Sequence, residues 1–269
     1  MTMDVVSTKT ASEAAAEVAE VGSTVLRQVW PIEKLRVIRA AIAQYTAIRL
    51  ERVKGGSLMP SERMYAAHGV GTFPSLVNHG LITPDALRDL FAGSFYQELC
   101  CAYFESDELY AMPNRLGFRN HNPLISQKSF IPYHQDSYTQ DVRTPQVLNC
   151  WIPLDPGAGS SSPGLEVVRH RCRPDFPRKD FGIRSENAAY DFITIDRDEI
   201  VREFGDNFLA PEFSLGDGLV FSEDVIHRTY VTPAMTDSRI NFELRVFSSN
   251  SLAPGVTIDE LAATSLRLT

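Results

Sequence analysis

The sequence predicts an α+β domain in which N-terminal helices are laid on a β core of sandwich or barrel type. Two patterns carry that expectation. Apolar residues recur at three- and four-residue steps in the first hundred positions, the period of a helix face. After about residue 115, short apolar runs alternate with turns rich in Pro, Gly, Ser and Asp, the texture of many short strands. A third observation sets the scale. With 269 residues, 43% of them hydrophobic and 22% charged, the chain is long enough to bury a large core without cross-links.

Taken in order, residues 1–20 are Ala-, Glu- and Ser-rich and weakly patterned, between a short helix and a mobile arm. Gly22–Trp30 is partly alternating and reads as a strand. Pro31 then opens a helix at the position where a missing N–H is harmless, with Ile32, Leu35, Ile38, Ile42 and Tyr45 on one face. Residues 55–82 hold Gly and Pro without a clear period and read as loop. A second helix begins at Thr83-Pro84-Asp85, with the stripe Leu87, Leu90, Phe91, Phe95 and Leu99. Candidate strands follow at 130–134, 146–152, 165–169, 192–195, 219–222, 226–231 and 239–248. The expected organisation is a mobile or weakly helical N-terminus over 1–20, a single domain over 21–250 and a C-terminal tail over 251–269.

Charge and cysteine usage exclude several classes. Twenty-six basic against 34 acidic side chains give a net charge of −8, opposite to the basic stripe that tracks nucleic-acid phosphates. Every apolar run is broken by charge well before the ~18 residues of a membrane span. The first twenty residues lack the basic start and apolar centre of a secretory signal. Cys100, Cys101, Cys150 and Cys172 show no C-x-x-C spacing, so neither a disulfide framework nor a thiolate zinc site is indicated. The expectation is a cytoplasmic protein acting on a small molecule, with neither nucleic acid nor membrane as partner.

The chemistry concentrates in Phe130-Ile-Pro-Tyr-His134-Gln-Asp136. On an extended chain His134 and Asp136 point to the same side, so an imidazole and a carboxylate can share one metal ion. A third ligand is available 93 residues on, where Gly216-Asp-Gly leads into an apolar strand, an acidic turn and a second strand carrying His227. Two His and one carboxylate form a facial triad that leaves adjacent positions of Fe(II) open. Twelve residues past His227, the segment 239–246 alternates strictly: Arg239, Asn241, Glu243 and Arg245 on one face, Ile240, Phe242, Leu244 and Val246 on the other. If the polar face points inward, its arginines need anionic partners, and a dicarboxylate suits a guanidinium through paired hydrogen bonds.

In their order and spacing these segments resemble the phytanoyl-CoA dioxygenase-like family of Fe(II)- and 2-oxoglutarate-dependent oxygenases. The resemblance runs over roughly residues 22–248, through the opening strand and Pro-led helix, His134-Gln-Asp136, Cys150-Trp-Ile-Pro-Leu-Asp155, Pro163-Gly-Leu-Glu-Val-Val168, Gly216-Asp-Gly-Leu-Val-Phe221, His227-Arg-Thr229 and Arg239. It implies a double-stranded β-helix, a jelly-roll or cupin-like barrel flanked by helices. By position it implies His134, Asp136 and His227 as iron ligands and Arg239 on the distal carboxylate of 2-oxoglutarate. Trp151 falls where an aromatic contacts the cosubstrate. Gln127 or Lys128 is a further candidate contact, and Arg245 is either a second cosubstrate arginine or a residue deeper toward the substrate. The implied reaction couples O2 and 2-oxoglutarate to oxidation of a small or medium-sized metabolite, releasing succinate and CO2. Because a carboxylate stands at position 136, where halogenating relatives carry a small residue, hydroxylation or a related oxidation is expected.

One departure concerns the loop after residue 168, which reads Arg169-His-Arg-Cys172 where the family has Pro-Gly-Ser-His. This basic loop, 169–173, is either a lip over the pocket suited to an anionic substrate or an exposed surface. Two other functional readings stay open at this point. One is a cupin-like metal enzyme that uses the triad without 2-oxoglutarate, and the other is a non-catalytic barrel binding module. His68, His79 and His121 lack partners at ligand spacing and read as structural or surface residues, with His121 close enough in sequence to border the pocket.

Overall fold

A computed structural model describes residues 9–56, 69–121, 130–136, 145–171, 183–184, 193–261 and 264–269. The helices are α1 (Ala11–Val21), α2 (Ile32–Lys54), α3 (Phe73–Asn78), α4 (Pro84–Phe91), α5 (Phe95–Phe104), α6 (Arg197–Phe204) and α7 (Ile258–Leu261). The strands begin with β1 (Ser23–Leu26), β2 (Gly71–Thr72), β3 (Leu109–Ala111), β4 (Gly117–His121), β5 (Leu148–Pro153) and β6 (Gly164–Val168). They continue with β7 (Ile183–Arg184), β8 (Ile193–Thr194), β9 (Phe208–Leu209), β10 (Gly218–Ser222), β11 (His227–Tyr230), β12 (Arg239–Ser248) and β13 (Leu266–Arg267).

The strands form two main antiparallel sheets. The larger runs β1-β10-β5-β12-β3-β13, with β4 also on β12 and β2 on β4. The smaller runs β11-β6-β9. Trp151, Leu219 and Phe221 of the large sheet meet Leu165 and Val167 of the small one in a buried cluster, so the sheets face each other. Among the described residues their hydrogen bonding does not close into the single barrel that the resemblance implied; two facing antiparallel sheets stand in its place.

β12 organises the large sheet. Its ten residues pair with β5 on one side and with β4 then β3 on the other. Ile240, Phe242, Leu244 and Val246 face the helical layer and join its core, while Arg239, Glu243 and Arg245 line a cavity on the opposite face. The alternation read from the sequence therefore separates core from cavity, and the strand bounds 239–248 coincide with the expected ones.

The helical layer shows where the sequence reading needs correcting. α2 buries Leu35, Ile38, Ile42 and Tyr45 as expected, but Ile32, the first residue of the helix, is 41% exposed and off the packed face. The single helix expected from Thr83 is two. Gly93 adopts φ 66°, a left-handed conformation that L side chains resist, and the Ser94 hydroxyl then caps a new helix by accepting from the Gln97 N–H at 3.1 Å. The apolar stripe continues through the break because both helices bury their apolar residues in one core cluster.

The chain ends are also more structured than the sequence suggests. Residues 11–21 form α1, closed by a capping box in which Thr10 accepts from the Glu13 N–H at 3.2 Å and Glu13 accepts from the Thr10 N–H at 2.7 Å. Ala14, Ala15 and Val18 are buried as α1 packs on α5. Gly22 ends the helix at φ 85°, and a Cβ there would lie 2.4 Å from Val225, so only glycine allows this approach to the turn before His227. At the other end, β13 pairs with β3 and Leu268 is buried, so the expected tail over 251–269 supplies an edge strand. Within the expected loop 55–82, β2 and α3 form. Candidate strand 130–134 builds no ladder of its own but joins β11 by a single bridge at His134. None of the described helices is long and apolar enough to cross a membrane.

Phe242 is fully buried and its ring lies 6.3 Å from that of Phe73. Phe242→Ala should destabilise the protein by about 3–5 kcal/mol in denaturant unfolding, as expected for a truncated aromatic in a packed core. A loss under about 1 kcal/mol would contradict the assignment of this face to the core.

Candidate metal centre

His134 and His227 are brought together by backbone pairing. The His134 N–H donates to the His227 carbonyl at 3.0 Å, and the His227 N–H donates back to the His134 carbonyl at 2.9 Å. The Thr229 N–H reaches the Ile131 carbonyl at 2.9 Å, extending the antiparallel contact. Directly opposed residues project to one face, and the two imidazole centroids lie 4.2 Å apart. Asp136, two residues on, joins them: ligand atoms of all three side chains lie within 4.8 Å of one another, and all three residues are buried.

Hydrogen bonds fix the tautomers. His134 Nδ1 lies 2.8 Å from the Pro132 carbonyl and His227 Nδ1 lies 3.0 Å from the Val225 carbonyl. A carbonyl only accepts, so each Nδ1 carries the proton and each Nε2 keeps its lone pair. This is the arrangement in which a second group orients a ligand imidazole. Burial first, then the neighbouring His227, push the His134 imidazole down to about 3, so it stays a neutral donor at physiological pH.

The carboxylate is divided between two tasks. Asp136 Oδ1 lies 3.9 Å from His134 Nε2. Its Oδ2 accepts from Asn149 Nδ2 at 3.0 Å and pairs with Arg245 at 3.1 Å. Burial raises the Asp136 pKa, but Arg245, followed by the two imidazoles, outweighs it and brings the group down to about 2. Two Nε2 lone pairs and one ionised carboxylate oxygen, all buried on one face, fit a non-haem Fe(II).

The described candidate metal ligands and cosubstrate contacts line one cavity of about 380 Å³. Besides the triad it contains Trp151, Arg239 and Arg245. Arg239 is 1% exposed. It donates to the Pro163 carbonyl and to Asn241 Oδ1, approaches His121 Nδ1 at 3.4 Å, and lies 4.7 Å over the Trp151 ring. Among the described residues no carboxylate pairs with it. Burial, and then Arg119, push its guanidinium below the ordinary arginine range, as expected of a cation enclosed without a counter-ion.

Other assignments shift. Arg245 pairs with Asp136 and Glu243, its Nη2 3.1 and 3.3 Å from them. Gln127 and Lys128 lie outside the described residues. The basic loop is no lip in its described part: Arg169 pairs with Glu17 of α1 at 2.8 Å and Arg171 with Asp224 at 3.1 Å. His121 is buried and lines the cavity. Asn149, Arg115 and Arg119 escaped the sequence reading as site residues. Only Asn149 left a signal, since it shares Trp151's face on β5.

No protein-family model matches the chain, and no curated protein matches it at significant similarity. Solved structures do. EvdO2 from Micromonospora carbonacea var. aurantiaca, complexed with 2-oxoglutarate, superposes with TM-score 0.57 at 17% identity over 91% of this chain and 94% of that one. The non-heme alpha-ketoglutarate-dependent carbocyclase SnoK from nogalamycin biosynthesis gives 0.59 at 13% identity, over 95% and 92%. EctD from S. alaskensis, with 2-oxoglutarate and 5-hydroxyectoine, gives 0.58 at 12% identity, over 93% and 80%. At these identities the likeness establishes a shared fold.

Two outcomes test the site. In the metal-free protein, His134 is protonated at about 6.5 when unfolded and only at about 3 when folded. Its depressed pKa contributes stability that is fully present above pH 6.5 and is lost as pH falls toward 3, with a slope of up to about 1.4 kcal/mol per pH unit. His134→Gln should flatten that part of the curve; an unchanged slope contradicts the buried neutral imidazole. Arg245→Met removes one of the two groups on Asp136 Oδ2 and should weaken Fe(II) binding about 10- to 100-fold, read by competition with a chromogenic chelator. Unaltered affinity would separate Arg245 from the centre.

Proposed function

We propose that the chain is an Fe(II)- and 2-oxoglutarate-dependent dioxygenase with a double-stranded β-helix core over residues 21–250, oxidising a small or medium-sized metabolite with release of succinate and CO2. The observation that carries this reading is the triad in one cavity with buried Arg239, which no carboxylate among the described residues pairs. A metal centre alone suits many enzymes; a buried guanidinium awaiting an anion beside it suits a dicarboxylate cosubstrate. The shared fold with 2-oxoglutarate-dependent proteins supports the same choice.

His134 Nε2, His227 Nε2 and Asp136 Oδ1 would hold the iron, leaving adjacent positions for the 2-oxo acid and O2. Iron so bound supplies the oxidative decarboxylation of 2-oxoglutarate and the oxidation of a substrate C–H bond. The protein's own part is placement. Arg239 and Trp151 seat the distal carboxylate. Asn149 and Arg245 hold Asp136 in its ligating orientation, and Ile131 and Leu165 give the cavity apolar wall that limits water. Hydroxylation is the outcome favoured by Asp136, because the carboxylate occupies the position a halide needs. The fold also carries the carbocyclase SnoK, so seating of the substrate, beyond the iron ligands, decides the outcome. A cytoplasmic setting accords with the free thiols of Cys100, Cys101 and Cys150.

Anaerobic addition of Fe(II) and 2-oxoglutarate should produce a visible metal-to-ligand charge-transfer band; its absence overturns the proposal. Arg239→Gln should raise the dissociation constant for 2-oxoglutarate at least about tenfold, the equivalent of one charge-assisted hydrogen bond. If Fe(II) binds normally and that constant does not move, the metal works without this cosubstrate contact.

A further inference from the structure

The segment that carries His134 is joined to β11 by less than a ladder. Besides the reciprocal pair between His134 and His227, its backbone tie to β11 is the Thr229 N–H to the Ile131 carbonyl at 2.9 Å. The two ties are out of step. Three steps from His134 back to Ile131 match two from His227 to Thr229, and one extra residue against its partner is the count of a β-bulge. Pro132, inside that stretch, has no N–H to donate, which suits a bulge better than a regular ladder. A bulge here aims the next side chain, His134. Moved one residue along the chain, it would turn that imidazole away from His227.

Three side chains pin the bulge from the far side of the small sheet. β11 pairs along its length with β6, setting Arg228 opposite Glu166. Leu165 and Val167 of β6 turn toward the large sheet, so Glu166 between them points away from it. Arg228 Nε donates to Glu166 Oε2 at 2.5 Å, and the guanidinium carbon lies 4.6 Å from the centre of the Tyr133 ring. The Tyr133 hydroxyl donates to the same carboxylate oxygen. Tyr133 thus reaches over β11, across about 9–10 Å between alternate strands, to the strand behind it. Both Tyr133 and Glu166 are buried, and a hydrogen bond to an ionised acceptor is among the strong ones. Tyr133 immediately precedes His134, and Arg228 immediately follows His227. Each imidazole therefore has a chain neighbour locked to one glutamate. A shift of the bulge by one residue would carry the hydroxyl off by about 3.3 Å, which no hydrogen bond survives.

We propose that Tyr133, Glu166 and Arg228 are positioning residues, a clamp on the outer face of the small sheet that fixes the bulge and so sets the His134 imidazole against His227. This rests on the metal centre of the oxygenase reading and deepens it. None of the three is among the residues lining the cavity, so the clamp acts through the two ligands and not by touching metal or substrate. Its ring and ion-pair contacts also explain why so short a backbone contact persists, since two strands paired over a few residues are marginal by themselves.

The test is Tyr133→Phe, which removes the hydroxyl and keeps the ring. The Ile195 N–H still reaches the Tyr133 carbonyl, 2.8 Å away in the parent, so the segment stays docked. Backbone amide exchange is followed in the metal-free protein. The His134 and His227 amides should exchange about 10- to 100-fold faster, the loss of one hydrogen bond to a charged group. The amides of Cys150 and Leu244, paired in the middle of the large sheet, should hold steady. Fe(II) affinity, read by chelator competition, should fall about tenfold or more. In a Glu166→Ala background Tyr133→Phe should add nothing, because the two act as one unit. Glu166→Gln keeps an acceptor and drops the charge; it should act in the same direction and serves if Tyr133→Phe does not fold. Three results overturn the proposal: the ligand amides keep their protection, the Cys150 and Leu244 amides are freed equally (a loss of global stability alone), or Fe(II) affinity stays unchanged while the ligand amides are freed. A parent protein that binds no Fe(II) overturns the oxygenase reading, whereas the exchange measurement, made without metal, decides the clamp separately.

Discussion

Two reciprocal backbone hydrogen bonds between His134 and His227, at 3.0 and 2.9 Å, set the geometry on which the site depends. They join residues 93 positions apart and place both imidazoles on one face of the contact. A slip of one residue in that register would turn one imidazole to the opposite side. The surrounding structure protects the register. Gln135, between His134 and Asp136, is 2% exposed and donates to the Asp224 carbonyl at 2.6 Å. Asp224 in turn pairs with Arg171 at 3.1 Å. Gly22, at the end of α1, packs against Val225, whose carbonyl sets the His227 tautomer. The helix at the N-terminus thus bears directly on the turn that delivers His227.

The charges follow a second logic. Asp136, Arg245, Glu243 and Arg119 form a chain of alternating sign along the cavity, so each buried charge has an opposite neighbour. Arg239 stands outside that chain, stacked over Trp151 with no carboxylate paired to it among the described residues. Enclosing an unpaired cation opposes folding, and the same feature gives the cavity an anchor for an anion. Stability and ligand recognition therefore pull in opposite directions at one residue, the pattern expected where a site departs from the rules that govern the core.

Much of this was legible in the sequence because it rests on local periodicity. The same-face relation of His134 and Asp136 follows from two-residue spacing, and the split of 239–246 into cavity and core faces follows from strict alternation. What escaped depends on pairing between distant segments. β2, β3 and β13 are two or three residues long, too short to show a period. Arg245 reads as a cosubstrate arginine by its place on the strand, yet its partner is an aspartate 109 residues earlier in the chain, which no spacing rule identifies. Arg169 and Arg171 read from the sequence as either a lip or a charged surface, and the acids that pair them lie far off in α1 and the 223–225 turn. The break between α4 and α5 was signalled by Gly93-Ser94, but the apolar stripe ran through it and concealed the stop.

The central claim is that His134 Nε2, His227 Nε2 and Asp136 Oδ1 jointly hold one iron ion. It is tested most directly by anomalous diffraction at the iron edge, on crystals grown anaerobically with Fe(II). The account predicts a single strong peak within bonding distance of those three atoms. A peak elsewhere, or full iron binding in solution with no peak between them, would contradict it.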